Sequence, residues 1–582
     1  MIKTTSALLL AALLVVPGLI AGANRVVAAD TAADKAVDTV AGTAAWTASG
    51  SYLAGLHAQQ SNDWSAASRL METVLAFDPE NPDLLRRAWL LDLGAGRTGR
   101  AVDIVRDIAE ADRGSHLAVV LLIADHVRGG RLEEAAGLLA DRLPADGLSQ
   151  YVEPLVRAWV QAGLGRKDEA IEALGALASS PGFMPLHDLH VGLISELAGE
   201  RREAGAAFAK AGEAGASLRV VQIVGGFLER DGRPDEARRL YETFREGASD
   251  ALLIEPAIAG LDDGRPAELV VRDAREGLAE ALFDLASALH QEGADDLALL
   301  YGRISLHLRD DLPLARLMIG DILARAGRHE EAIAEYRAIE GEPGLRWAAR
   351  LRIAERLERL ERTGEAVDLL EAMGEERPER FDALLSLGDL HRAAERFEPA
   401  VAAYDGAIER IGDVTPRHWL LFYSRGVSFE RSGQWQRAEA DLLKALDLNP
   451  DQPQLLNYLG YSWVDRGLNL DRARGMIERA VALRPNDGYI VDSLGWVLYR
   501  LGDYDEAVVH LERAVELTPL DPTINDHLGD AYWQVGRRHE ARFQWQRALH
   551  QAEKADEKEK IRAKLSDGLP LRQTAADTTT AD

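Results

Sequence analysis

Residues 488–521 read GYIVDSLGWVLYRLGDYDEAVVHLERAVELTPLD, and residues 522–551 start the same pattern again as PTINDHLGDAYWQVGRRHEARFQWQRALHQ. Set in register, Leu494-Gly495 falls on Leu528-Gly529, 34 residues further on. Ala507, Leu511 and Ala514 then fall on Ala541, Trp545 and Ala548. Each unit reads as a helix, a turn and a second helix. Gly495 has no side chain, so the second helix can approach the first closely, and Ala507 and Ala514 keep the facing side small. Leu494, Leu498 and Leu511 fill the space that remains. Pro519 closes the second helix because it cannot donate the next backbone bond. One such pair cannot bury its apolar face alone, so units must stack.

A 34-residue unit with small residues at its eighth, twentieth and twenty-seventh places resembles the tetratricopeptide repeat, TPR. The resemblance implies an all-α fold: a TPR α-solenoid, a right-handed superhelix of antiparallel helix pairs. Counted through the chain, units begin near residues 48, 82, 116, 151, 185 and 218, then 279, 313, 347, 381, 419, 453, 488 and 522. The early ones are degenerate: the second carries Trp89 where a small residue is expected, although Ala135, Ala170, Ala204 and Ala237 keep the twentieth place. The organisation expected is a signal peptide over 1–29, a linker over 30–47, degenerate TPR units over 48–246 and an insertion over 247–278. TPR units over 279–552, a C-terminal capping helix over 553–572 and a disordered tail over 573–582 complete it. Pro256 and the DDGRP stretch break any long helix in the insertion, which reads as a degenerate repeat or surface excursion rather than a lid.

With 67 Lys and Arg against 95 Asp and Glu, the chain carries a formal charge of −28. That balance argues against a nucleic-acid binder, which needs a basic face to neutralise phosphates. A solvated acidic surface is the plain reading, and a basic partner the functional one. There is no cysteine, which excludes thiol catalysis, disulfides, thiolate metal sites and a lipid-modified N-terminal Cys. Lys3, the apolar run Ala7–Val16, the break at Pro17-Gly18 and the small-residue sites Ala21-Gly22-Ala23 and Val27-Ala28-Ala29 make an export signal. Cleavage after Ala29 is expected, after Ala23 the alternative, and the destination is the periplasm. The rival is an uncleaved inner-membrane anchor, for which Ala7–Ala23 is barely long enough.

Motifs for chemistry are sparse. Gly94-Ala95-Gly96-Arg97-Thr98-Gly99 has the letters of a dinucleotide-binding glycine motif, but it falls between two helices of one unit rather than between a strand and a helix. His187 and His190, three apart, read as a surface pair rather than a metal site. The chain ends shortly after its last unit, which leaves no room for a catalytic domain beyond the array. No catalytic residue, cofactor or metal is expected, and the protein reads as a non-enzyme.

The TPR resemblance further implies that repeat positions 2, 5, 9, 12 and 13 line a concave groove. Carried onto this chain, those positions place Tyr423 and Arg431, then Asn457, Tyr461 and Asp465, in the groove. Tyr489, Asp492, Trp496, Tyr499 and Arg500 follow, and Asp526, Asp530 and Trp533 come last. Trp, Tyr and Arg are the usual anchors of protein interfaces, so Trp496 and Trp533 are expected to face the groove. The run from Leu456 to Val508 is similar to exported bacterial TPR proteins, including the adaptor lipoprotein of a carboxy-terminal processing protease. That likeness covers about residues 415–550. It implies a scaffold that binds protein partners, a processing protease and cell-wall enzymes among them. The alternative is a structural component of an envelope machine, such as a pilus or a polysaccharide exporter.

Overall fold

The computed structural model describes residues 47–108, 115–142, 147–179, 181–212, 216–247, 253–265, 267–341 and 343–570. The expected signal peptide, nearly all of the linker and the tail lie outside these residues. The described residues hold helices and no strand, and they divide into two units, Met1–Ala366 and Val367–Asp582. No helix among them is long and apolar enough to cross a membrane.

The first unit opens with six helix pairs. These are α1 (Ala48–Gln60) with α2 (Trp64–Leu75), α3 (Pro82–Gly94) with α4 (Thr98–Ile108), and α5 (His116–Arg128) with α6 (Leu132–Arg142). Then come α7 (Ser149–Gly163) with α8 (Lys167–Ala178), α9 (Met184–Leu197) with α10 (Arg201–Ala211), and α11 (Leu218–Arg230) with α12 (Pro234–Gly247). The glycine-rich stretch after Leu93 is the turn between α3 and α4, with Gly96 in the left-handed region at φ 76°.

The stretch set apart in the sequence is docked. A short helix, α13 (Glu255–Asp262), lays Ala257, Ile258 and Leu261 on the cluster of Val221, Ala237, Tyr241 and Ile254. Beyond it the backbone is pinned to α11. Arg230 donates to the carbonyls of Ala267 and Glu268 at 3.4 and 2.8 Å, and Glu229 accepts from the Ala267 N–H at 3.1 Å. This exposed part of the chain is thus tied to the repeat before it through the backbone of Ala267 and Glu268. The helix that follows, α14 (Ala274–Gln291), takes in Ala274–Leu278 from that stretch.

With α15 (Asp295–Leu308), α14 forms a pair that does more than extend the row. α14 packs on α7, α5 and α9, and α15 packs on α5 and α3, first helices of the opening repeats, and also on α4. The chain's own helix pair thus packs across α3, α5, α7 and α9. Trp159 of α7 is fully buried against Gly277 of α14. Glu280, also fully buried, is held by Arg219 of α11 and by Arg309, whose guanidinium lies 3.1 Å away. His307 of α15 lies 3.3 Å from Asp125 of α5. The unit continues through α16 (Pro313–Arg325) and α17 (His329–Arg337) to α18 (Pro343–Arg359). It also meets its own start: Arg328 pairs with Asp63 at 2.7 Å, and the Ser65 hydroxyl donates to Glu331 at 2.6 Å.

The second unit is a plainer row. After α19 (Thr363–Glu376), inside which the boundary falls, come α20 (Asp382–Ala393) with α21 (Phe397–Arg410) and α22 (Trp419–Arg431) with α23 (Trp435–Leu448). α24 (Pro453–Arg466) with α25 (Leu470–Leu483), α26 (Gly488–Leu501) with α27 (Tyr504–Leu517), and α28 (Pro522–Gln534) with α29 (Arg538–Gln551) follow. The last helix among the described residues is α30 (Ala555–Asp567). Asp487 caps α26 by accepting from the Tyr489 and Ile490 amides, and Gly502 ends it at φ 97°.

The repeat spacing has a direct steric cause. A Cβ on Gly495 would stand 2.5 Å from Leu511, and one on Gly529 would stand 2.4 Å from Trp545. The partner of the glycine is therefore the large residue of the second helix, whether Leu or Trp. Ala473, Ala507 and Ala541, and Ala480, Ala514 and Ala548, are all fully buried. Each repeat shares its core with the next, so one apolar cluster runs from Phe422 to Ile561.

Candidate functional site

The first helices of the second unit carry the residues singled out in the sequence, and the structure sorts them into three groups. Tyr423 on α22 meets Tyr458 on α24 edge to face, with centroids 5.7 Å apart, and the Tyr458 hydroxyl donates to Glu430 at 3.3 Å. Both tyrosines are half-buried, and burial pushes both phenols up. Arg431, at the end of α22, is exposed and sits 3.6 Å from Glu395.

The second group spans α24, α26 and α28. Trp496 is half-buried and lies flat between two rings: Tyr499 at 4.8 Å and 8°, and His527 at 4.0 Å and 12°. His527 is buried and sits 3.0 Å from both carboxylate oxygens of Asp492. Burial works against charge on that imidazole, but Asp492, reinforced by Asp526 and Asp530, outweighs it and holds the pKa above the ordinary value. Tyr461 faces the same acidic corner. Its hydroxyl is pushed up to about 12, first by burial and then by the charges of Asp492 and Asp465. Arg500 donates to the Asp465 carbonyl at 3.3 Å, Asp465 itself is exposed, and Tyr489 is 59% exposed. Asn457 is half-buried, with an amide oxygen that has no partner.

The third group is covered. Trp533 retains only 6% of its surface, so the groove exposure expected for it does not hold. Residues Lys564–Pro570 lie over it, and Lys564 sits between Asp526 and Asp530 at 2.6 and 2.8 Å. Asp530 also accepts from the Trp545 indole at 2.8 Å. Asp492 and Asp530 are buried to 5% exposure, each in an internal pair, rather than open on a wall.

The repeat positions identified Trp496 and Asp492 but missed Tyr458 and His527. These two share the sixth place of their repeats, which points toward the preceding repeat rather than across the groove. In the first unit the histidine pair is not a surface feature: His190 is fully buried, accepts from the Trp159 indole at 3.2 Å and lies 3.4 Å from Asp284. No group of three or more His, Asp or Glu among the described residues is arranged to hold a metal ion. Carboxylates and aromatic rings thus recur on the first helices α22, α24, α26 and α28, with Arg431, Asp465 and Tyr489 exposed among them.

Tetratricopeptide-repeat family models match residues 306–344, 351–414 and 423–488, and a TPR repeat model matches residues 495–536. Over these residues the chain carries tetratricopeptide repeats. A TPR repeat-containing protein of Pseudomonas aeruginosa is 36% identical over 92 residues, which is 16% of this chain and 16% of that protein. Similar solved structures include the APC/C hetero-tetramer Cut9–Hcn1, 15% identical over 93% of this chain and 99% of that one, with a TM-score of 0.38. Yeast Tom70 is 12% identical over 90% of this chain and 95% of its own, with a TM-score of 0.33. YrrB, described as a TPR protein with an unusual peptide-binding site, is 21% identical over 33% of this chain and 97% of its own, with a TM-score of 0.27.

Proposed function

We propose that this protein is an exported, non-enzymatic scaffold that grips segments of partner proteins on the inner face of its second unit. The observation that carries this reading is Trp496. A half-buried indole stacked between Tyr499 and His527 offers an aromatic anchor already fixed in orientation. A preorganised anchor loses little entropy on binding. In the first unit α14 and α15 pack on the first helices α3, α5, α7 and α9, which leaves the second unit as the face favoured here. Recruiting an envelope protease to its substrates is one version of the function, supported by the sequence likeness over about residues 415–550. Export to the periplasm rests on Lys3, Ala7–Val16 and the small-residue sites that follow.

The deciding experiment is affinity capture from an envelope extract by the full chain and by its Trp496→Ala variant. Loss of specific partners from a variant that still melts normally supports the reading, and unchanged capture overturns it. A reporter fused to residues 1–45 should reach the periplasm of a Gram-negative host and show a processed N-terminus. Recovery of the intact Met1 end from the membrane fraction would favour the anchor.

A further inference from the structure

The last repeat differs from its neighbours in what lies on its first helix. After Ala552 the chain forms α30 and turns back over α28. Lys564 Nζ donates to Asp526 and Asp530 at 2.6 and 2.8 Å. Four residues further on, Gly568 lies so close to Trp533 that a Cβ would stand 2.1 Å from the indole. The Trp533 N–H donates to the Leu569 carbonyl at 2.7 Å, and the Gln534 amide donates to the Pro570 carbonyl at 3.2 Å. Asp526, Asp530, Trp533 and Gln534 hold repeat positions 5, 9, 12 and 13. One repeat earlier those positions are Asp492, Trp496, Tyr499 and Arg500. The chain's own C-terminal segment therefore lies on the repeat positions that in the preceding repeat carry Asp492, Trp496, Tyr499 and Arg500.

Its hold is narrow. Ile561 is the one buried residue of α30, and the remainder of the helix is mostly charged and exposed. Leu565 and Leu569 add partial apolar contact. The polar half of the hold is specific. Without Lys564, two carboxylates would share a sheltered site, with Asp526 Oδ1 already buried and unpartnered. Burial alone would make Lys564 easier to deprotonate, but the charges of Asp530 and Asp526 outweigh it and keep the ammonium charged. The site is built around a cation, because desolvated carboxylates left unpaired are costly.

We infer that Lys564–Pro570 is a displaceable in-chain occupant of the groove, and that the partner segment it competes with carries a lysine at the place of Lys564. Such a segment presents a lysine ammonium to Asp526 and Asp530 and a small residue to the face of Trp533. The inference rests on the groove being the partner-binding face and adds the chemistry of what binds and what guards it. Release of the segment uncovers Asp526, Asp530 and Trp533, one repeat on from Trp496.

The test uses the full chain and its Lys564→Glu, Gly568→Leu variant, with a labelled synthetic peptide of residues 553–570, EKADEKEKIRAKLSDGLP, as the probe. The variant should bind the peptide about tenfold or more tighter than the wild-type chain. In the wild type the tethered segment competes at an effective concentration of roughly millimolar order. Adding Asp526→Asn and Asp530→Asn to the variant should abolish peptide binding. In the unmodified chain, amide exchange over 555–567 should be faster than over 522–551. Three outcomes overturn the inference: no peptide binding by a variant that melts like the wild type, loss of the fold of 522–551 in the variant, or exchange in α30 as slow as in α29. If the peptide fails while Trp496→Ala still removes partner capture, the groove reading stands and the displaceable segment falls.

Discussion

Gly277 of α14 and Trp159 of α7 are pressed together so closely that a Cβ on the glycine would stand 2.1 Å from the indole ring. The contact joins residues from different repeats and fixes how the helix pair α14–α15 enters the opening repeats. Trp159 is anchored from the other side by His190, which accepts its N–H at 3.2 Å and approaches Asp284 of α14 at 3.4 Å. Only glycine allows this approach, since any side chain would have to displace a fully buried ring.

Gly277→Val should accordingly destabilise the first unit by about 1–3 kcal/mol, the usual cost of overpacking a dense core. Hydrogen exchange should rise over 149–197 and 274–308. Urea unfolding followed by exchange and mass spectrometry measures both, and protection unchanged over those residues would contradict the docking described.

Trp533 and Trp496 should behave differently. Trp533 is core beneath Lys564–Pro570, so Trp533→Ala should cost about 3–5 kcal/mol and loosen 522–570. Trp496→Ala should leave the melting temperature within a few degrees while weakening partner capture. An interface anchor contributes about 2 kcal/mol or more, roughly thirtyfold in affinity. Equal thermal losses in the two variants would refute the distinction.

Ala514→Arg places a long cation where a fully buried alanine meets the neighbouring repeat. A loss of about 2–5 kcal/mol is expected. Contacts in a repeat row are local, so exchange should rise first around 488–550. Exchange that rises uniformly along the chain would argue against local coupling.

His527 gives the groove a pH dependence with a definite sign. Its folded pKa is raised above the ordinary imidazole value of 6.5 because Asp492 outweighs the effect of burial. The stabilising contribution is therefore complete below the unfolded value, about 6.5, and fades as pH rises through the folded value. The stability difference between the wild type and His527→Asn should be largest near pH 6 and shrink toward pH 9. A difference that stays flat across that range would show that the imidazole acts as a neutral partner.

The sequence by itself determined the repeat. Glycine at the eighth place and alanine at the twentieth and twenty-seventh are direct consequences of two helices meeting within one short segment. That packing is local, so it leaves a periodic trace that one chain is enough to reveal. The placement of Trp496 and Tyr499 on one face of α26 was legible for the same reason, since a position in the repeat fixes a face of a helix. Tertiary structure alone decided which parts of the inner face are free. Trp159 meets Gly277, and Trp533 meets Gly568, through contacts between segments that share no periodicity, so no spacing announces them. Lys564 reads as one charge among several on a solvated helix until the fold brings it between Asp526 and Asp530. Repeats set what each helix can touch next to it, but only the path of the whole chain within each unit determines which of its faces the chain keeps for itself.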